Sequence, residues 1–203
     1  MLNFARMSNF TEISFTCPEC GESGVFKRYS GVNAAEDPEL RDEVRTGRLF
    51  VRECPKCGHK DIETSPFLYT DPELRVILAL SKEKLNASGE IPGYTARQVS
   101  TVGELIEKLK IFEAGLDDIA IEMCKYVTSQ ELGRDVDLKF CGMNGPDQEI
   151  SLTYPEKGQM QILEIGLNVY NDCCGILSRN PLIAEKAKGL VRVDQAWLSN
   201  FIG

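Results

Sequence analysis

The chain has 203 residues with 42% apolar and 27% charged side chains, ordinary values for a folded globular protein. They exclude a disordered tail protein, and no run approaches the length of a membrane span. Eight cysteines stand against one histidine, His59, so paired-histidine metal centres are excluded and any histidine-dependent catalysis would have to use that one ring. The net charge of −8 is unevenly spread: residues 17–60 carry eight acids and eight bases, and residues 61–203 carry 22 acids against 14 bases. The acidic half disfavours nonspecific contact with a phosphate backbone or an anionic membrane. The first ten residues lack the apolar core of a secretory signal, which leads us to expect a cytoplasmic protein with reduced thiols.

In chain order, short runs rich in β-branched and aromatic residues predict strands at Glu12 to Thr16, Val25 to Tyr29, Leu49 to Glu53 and Ile62 to Leu68. Between them, Asp37-Pro38-Glu39-Leu40 predicts a short helix with Asp37 as N-cap and Pro38 at its first position, ended by Gly47. Thr70-Asp71-Pro72-Glu73 predicts a turn that pairs Phe67 to Tyr69 with Arg75 to Leu80 as a hairpin. Residues 81–98 weaken into Lys, Asn, Ser, Gly and Pro and read as a linker or long loop. Residues 11–80 then form a zinc-ribbon-like β module, and residues 99–203 an α+β region.

Val102, Leu105, Ile106, Leu109, Phe112, Leu116, Ile119, Ala120, Met123 and Val127 recur at steps of three and four, which predicts a long amphipathic helix. Thr101 with Glu104 fits a capping box, and Gly115 marks a break or a close contact. The stripe is either a packed face or a surface for self-association. Asp117-Asp118 with Glu122 one turn later read as a solvated helix face. Beyond Gly133, Val136 to Cys141, Glu149 to Tyr154 and Met160 to Ile165 predict an antiparallel meander. A short helix follows from Asn180-Pro181 to near Gly189, and Asp194 caps a last one carrying Trp197 and Leu198; both are expected to dock on that sheet.

The chemistry lies in Cys17-Pro18-Glu19-Cys20-Gly21 and Cys54-Pro55-Lys56-Cys57-Gly58. Two residues between the cysteines let both thiolates converge on one ion, and the glycine permits a positive-φ exit. Two such knuckles form a four-cysteine site of the zinc ribbon type, with Cys17, Cys20, Cys54 and Cys57 as the metal ligands and one Zn²⁺ per chain. The 33 residues between Cys20 and Cys54 do not prevent this, because loop closure costs grow only logarithmically. The other readings are a rubredoxin-like iron electron carrier and a dithiol redox pair. Iron is disfavoured because only Phe15 and Phe26 lie near the first knuckle in sequence. Four protein sulfurs leave no open coordination position, so the site is structural and no catalytic residue is assigned.

Cys124, Cys141, Cys173 and Cys174 read as buried small hydrophobes, with a second metal site as the weaker alternative. His59 reads as a surface group or one that contacts a sulfur.

The knuckles, Val32-Asn33-Ala34, Asp37-Pro38-Glu39-Leu40, Gly47-Arg48-Leu49-Phe50 and Phe67-Leu68-Tyr69-Thr70-Asp71 together resemble the CpXC domain proteins of bacteria and archaea. The resemblance continues through Arg97-Gln98-Val99 and Glu104-Leu105 to Leu116-Asp117-Asp118, covers roughly residues 11–130, and stops near Ser129. It implies metal binding by Cys17, Cys20, Cys54 and Cys57. The fold class expected is α+β: a zinc ribbon, a long amphipathic helix, then an antiparallel meander with short helices. The function expected is a non-catalytic adaptor or regulatory protein acting on a protein partner or through self-association. Nucleic-acid binding through Lys27, Arg28, Arg45, Arg48, Arg52 and Lys60 is the second reading. An enzyme with a pocket between the two halves is the third, supported by no glycine-rich phosphate cradle, nucleophile elbow or histidine cluster.

Overall fold

A computed structural model describes residues 8–85, 89–146 and 148–202. Among them it shows a mixed α+β protein with six helices and three sheets. The chain divides into two compact units, one within residues 1–87 and 91–106, the other within 88–90 and 107–203.

The first unit is built on a five-stranded mixed sheet in the order β1-β2-β5-β6-β7. β1 (Asn9–Thr16) and β2 (Ser23–Asn33) pair antiparallel, as do β5 (Phe67–Asp71) and β6 (Val76–Leu80) around the predicted turn. A separate two-stranded ribbon, β3 (Val51–Glu53) with β4 (Lys60–Ile62), lies between β2 and β5 in the chain. Every residue of β6 is buried, which is why it reads as an unbroken apolar run instead of an alternating one. The β5–β6 turn is held by Asp71. Its carboxylate accepts the Tyr69 hydroxyl at 2.9 Å and the N–H groups of Glu73 and Leu74, and pairs with Arg41 of α1 (Pro38–Arg45) at 2.7 Å. Asp37 stands at the N-cap of α1 as predicted, yet its side chain caps nothing there and instead accepts the N–H of Ser8.

The predicted linker over 81–98 needs correction, because its end is strand β7 (Thr95–Val99), parallel to β6 and almost wholly buried. Arg97 and Gln98 disguise it as polar. Both are buried, and Gln98 serves the preceding loop: it donates to the carbonyls of Ser81 and Glu83 and accepts from the N–H of Leu85. One buried amide thereby bonds three backbone groups of the loop beside the sheet, and the Ser81 hydroxyl also donates to the Glu83 carbonyl.

The long periodic stretch is two helices, α2 (Val102–Glu113) and α3 (Asp118–Glu131), with the division between the units falling inside α2. Thr101 caps α2 by accepting the N–H of Glu104, and Glu104 reaches back to Ser100. Gly115, at φ +70, makes the break. Asp117 then caps α3 by accepting the N–H groups of Ile119 and Ala120 at 2.7 and 3.1 Å. Asp117→Ala should cost about 1 kcal/mol, the usual loss for an N-cap, read as a lower denaturant midpoint of the second unit.

In the second unit, β8 (Lys139–Asn144), β9 (Glu149–Glu156) and β10 (Gln159–Ile165) form the predicted antiparallel meander, in the order β10-β9-β8. The β9–β10 hairpin turns on Lys157 and Gly158, both at positive φ. The last residue of the predicted β8–β9 loop, Asp147, lies outside the described residues. Ile111 and Ile121 pack on the sheet with Phe140, Ile150 and Leu152. A helix the sequence reading did not foresee, α4 (Leu167–Arg179), packs on α3. The short helices α5 (Pro181–Lys186) and α6 (Gln195–Leu198) are where they were predicted, with Asp194 capping the second. Their docking differs from the expectation. Ile183 and Leu198 join Ile119, Met123 and Cys124 of α3, in a cluster that meets the meander at Ile165, the last residue of β10.

α3 is consequently covered on most of its surface: every residue from Asp118 to Lys125 is buried. Val102, Leu105, Leu109, Ile119, Ala120 and Met123 of the apolar stripe are buried within the chain as well, while Ile106, Phe112, Leu116 and Val127 are half-buried. The solvated acidic face is corrected too. Asp118 and Glu122 are each 2% exposed and meet Lys108 of α2 at 3.0 and 3.2 Å. Lys125 pairs with Glu122 at 2.8 Å and with Glu107 at 3.0 Å, while Glu107 also accepts the N–H of Phe140. A charge at i, i+4 spacing looks the same in sequence whether water or an ammonium faces it. Here Lys108, placed by a second helix, decides it.

Candidate metal centre

Each knuckle sits at the tip of a two-stranded ribbon, the first between β1 and β2 and the second between β3 and β4. The two are copies in detail. The N–H of Cys17 donates to the carbonyl of Glu22 at 2.8 Å, as that of Cys54 donates to His59 at 2.8 Å. Gly21 donates to Cys17 and Gly58 to Cys54, each at 3.0 Å, and both glycines have φ +71. That left-handed backbone is what requires glycine at the fifth position of Cys-Pro-x-Cys-Gly.

The four sulfurs converge. Cys17 Sγ lies 3.6 Å from Cys57 Sγ and Cys20 Sγ 3.6 Å from Cys54 Sγ, and all four lie within 4.8 Å of one another. A tetrahedron with metal–sulfur bonds of about 2.3 Å has edges of about 3.8 Å, so the quartet is already close to the size a tetrahedral ion needs. The first cysteine of each knuckle is buried, at 2% exposure for both Cys17 and Cys54. The thiolate form is favoured where knuckle amides aim at sulfur: the backbone N–H of Cys57, with that of Lys56, draws Cys54 down to about 6. At Cys20 the N–H of Glu22 acts in the same sense, but burial and the neighbouring sulfurs outweigh it and push that thiol up to about 12.

The sequence reading places His59 at a sulfur or on the surface. Its contribution is through the backbone, whose N–H meets the sulfur of Cys57 while its carbonyl accepts from Cys54. Three supports were not legible beforehand. Gly24 pairs with Phe15 across the first ribbon, and a Cβ there would stand 2.7 Å from the Phe15 ring and 3.4 Å from Pro55 of the second knuckle. Gly24 therefore lets the Phe15 ring and the second knuckle close over the first ribbon. On the same ring lies the guanidinium of Arg52, 5.1 Å from its centre. Lys56 of the second knuckle pairs with Glu22 beside the first at 3.3 Å.

The remaining cysteines are apart from this cluster. Cys124 and Cys173 are buried between α3 and α4, Cys174 is half-buried and Cys141 exposed on β8. Among the described residues, Cys17, Cys20, Cys54 and Cys57 are the only grouping of three or more His, Cys, Asp or Glu side chains placed to hold an ion. A cavity of about 430 Å³ in the second unit is lined by Lys125, Tyr126, Arg134 and Gln195 among others, away from the knuckles in sequence.

Two ribbons that present four converging sulfurs define a four-cysteine cluster protein. The model of the CpXC protein family matches residues 15–125, more than half of the chain and both knuckles, and the chain belongs to that family. Neither the curated proteins nor the solved structures give a match.

Proposed function

We propose that the four sulfurs hold one Zn²⁺ per chain as a closed structural ion, and that the protein is a non-catalytic adaptor or regulator acting on a protein partner. The observation that carries the zinc reading is the near-tetrahedral spacing of four cysteine sulfurs with amides aimed at them. With every position filled by protein, such an ion has no place for water or substrate and acts as a cross-link. Eight free cysteines fit a reducing, cytoplasmic setting, where an ion replaces disulfides. Among the described residues no helix is long and apolar enough to cross a membrane.

A protein partner is favoured over nucleic acid by the state of four of the six basic side chains. Arg48 pairs with Asp42 and Glu43, Arg52 with Asp61 and Glu63, Lys60 with Glu53, and Arg45 with Asp42. A guanidinium already matched to carboxylates releases few counterions on meeting a phosphate. Meanwhile Phe10, Val25 and Ile62 of the two ribbons are each more than half exposed.

Native mass spectrometry with elemental analysis tests the reading. One zinc per chain is the expected result. A red protein carrying iron would replace it with an electron-carrier function, and absence of both metals would overturn it. In the same preparation, binding to DNA or RNA fragments at low salt should be undetectable; binding that weakens steeply with added salt would favour the nucleic-acid reading instead.

A further inference from the structure

Outside the metal cluster, one pair of sulfurs stands in contact. Cys124 of α3 and Cys173 of α4 are 49 residues apart in sequence, both buried, with Sγ atoms 3.7 Å apart. Ile119, Met123, Ile183 and Leu198 surround them in the core that joins the helices. We propose that Cys124 and Cys173 form an oxidisable pair that hydrogen peroxide converts to a disulfide, stapling α3 to α4.

The sulfurs are in contact at 3.7 Å and have to close to a bond of about 2.0 Å. The roles are also ordered. Cys124 donates its S–H to Cys173, which draws the Cys173 thiol below its ordinary value and pushes that of Cys124 up. Cys173, as thiolate, is the nucleophile that attacks the peroxide: an S–O bond forms, the O–O bond breaks and hydroxide leaves. The sulfur of Cys124 then attacks the resulting sulfenic acid; an S–S bond forms, the S–O bond breaks, and hydroxide leaves to take up the proton from Cys124 as water. The two thiols lose two electrons and two protons in all, and the peroxide, with those, becomes two waters. A small uncharged oxidant suits a site this closed, whereas a bulky disulfide reagent does not. Because the bond closes a long loop, it restricts the unfolded chain and stabilises the second unit.

The test uses the full-length purified protein treated with hydrogen peroxide and mapped by non-reducing peptide mass spectrometry. The expected result is a peptide containing Cys124 joined to the one containing Cys173, two hydrogens lighter than their sum, and released by a dithiol reductant. Since Cys173 and Cys174 adjoin, the same link must form in Cys174→Ser. In the oxidised protein the denaturant midpoint, followed by the fluorescence of Trp197, should rise. A folded wild-type protein that shows no such link after peroxide treatment overturns the proposal. So does a link that disappears in Cys174→Ser.

Discussion

Cys17→Ser with Cys20→Ser in one chain should abolish metal binding, taking the content from one ion per chain to none, and should unfold the β3–β4 ribbon. The reason is the small size of what the ion supports. That ribbon has three paired positions, Val51 with Ile62, Arg52 with Asp61 and Glu53 with Lys60, and its second strand is exposed along its whole length. An isolated two-stranded ribbon is marginal at best in water. Structural zinc in peptides of this kind contributes about 10–16 kcal/mol of apparent binding free energy at pH 7, far more than three ladder pairs supply. Hydrogen exchange should therefore show complete loss of protection over 51–62, while β6, buried on both faces, keeps its protection. Removing the ion with a chelator should reproduce the effect in the unaltered chain. Unchanged protection in the double variant would mean that the ribbon stands without its ion and that the clamp reading is wrong.

Lys108→Met is expected to be the most damaging single change in the second unit. It deletes the ammonium that sits 3.0 Å from Asp118 and 3.2 Å from Glu122, both almost fully buried. Breaking a buried pair by removing one partner typically costs about 3–5 kcal/mol, because the other charge is stranded. Against a total of about 5–15 kcal/mol for a typical domain, that is a large fraction of the stability. Lys108→Met combined with Asp118→Leu should recover part of the loss, since it also removes one of the two buried carboxylates that the ammonium faced.

The same cluster sets a pH dependence with a definite sign. Burial by itself would raise the Glu122 carboxyl, but Lys108 and Lys125 bring it below its ordinary 4.5. Burial would lower both lysines, but Asp118 and Glu122 hold Lys108 above 10.5, and Glu122 and Glu107 do the same for Lys125. A depressed carboxyl contributes stability that is complete above 4.5 and lost as pH falls through its folded value. A raised ammonium contributes stability that is complete below 10.5 and lost as pH rises through its folded value. The contribution of the cluster is therefore flat between those two limits and declines on either side. Trp197, the sole tryptophan, reports on this unit, so urea midpoints followed by its fluorescence check the shape. A midpoint that climbs on acidification below 4.5 would contradict it.

The four-cysteine cluster was legible because each knuckle's constraints are local: two residues between cysteines and a positive-φ glycine are fixed within five positions. The β5–β6 hairpin and the meander were legible for the same reason, through turn residues and alternation. What escaped depends on partners distant in sequence. Gln98 looks like a loop residue until the backbone of Ser81 and Glu83 is placed beside it. Asp118 and Glu122 look solvated until α2 lays Lys108 against them. In α4, Gly175 and the asparagines at 168 and 171 obscured an apolar spacing of Val169, Tyr170, Cys173 and Leu177 that becomes obvious once α3 supplies the surface it covers. Gly24 could not be read at all, because the need for a hydrogen in place of a side chain comes from the ring opposite it.

The ionic cluster between α2 and α3 also bears on what is inherited and what folds. Glu107, Lys108, Asp118, Glu122 and Lys125 all fall inside the family-matched span, whose last residue is Lys125 itself. The roof over them does not: Phe140 bonds Glu107 from β8, and Gln195 bonds Glu122 from α6. The segment recognisable by descent thus ends in the middle of a structure it cannot complete by itself. Any relative that keeps these five charges must furnish a lid of its own, whatever its sequence, or leave them to the solvent.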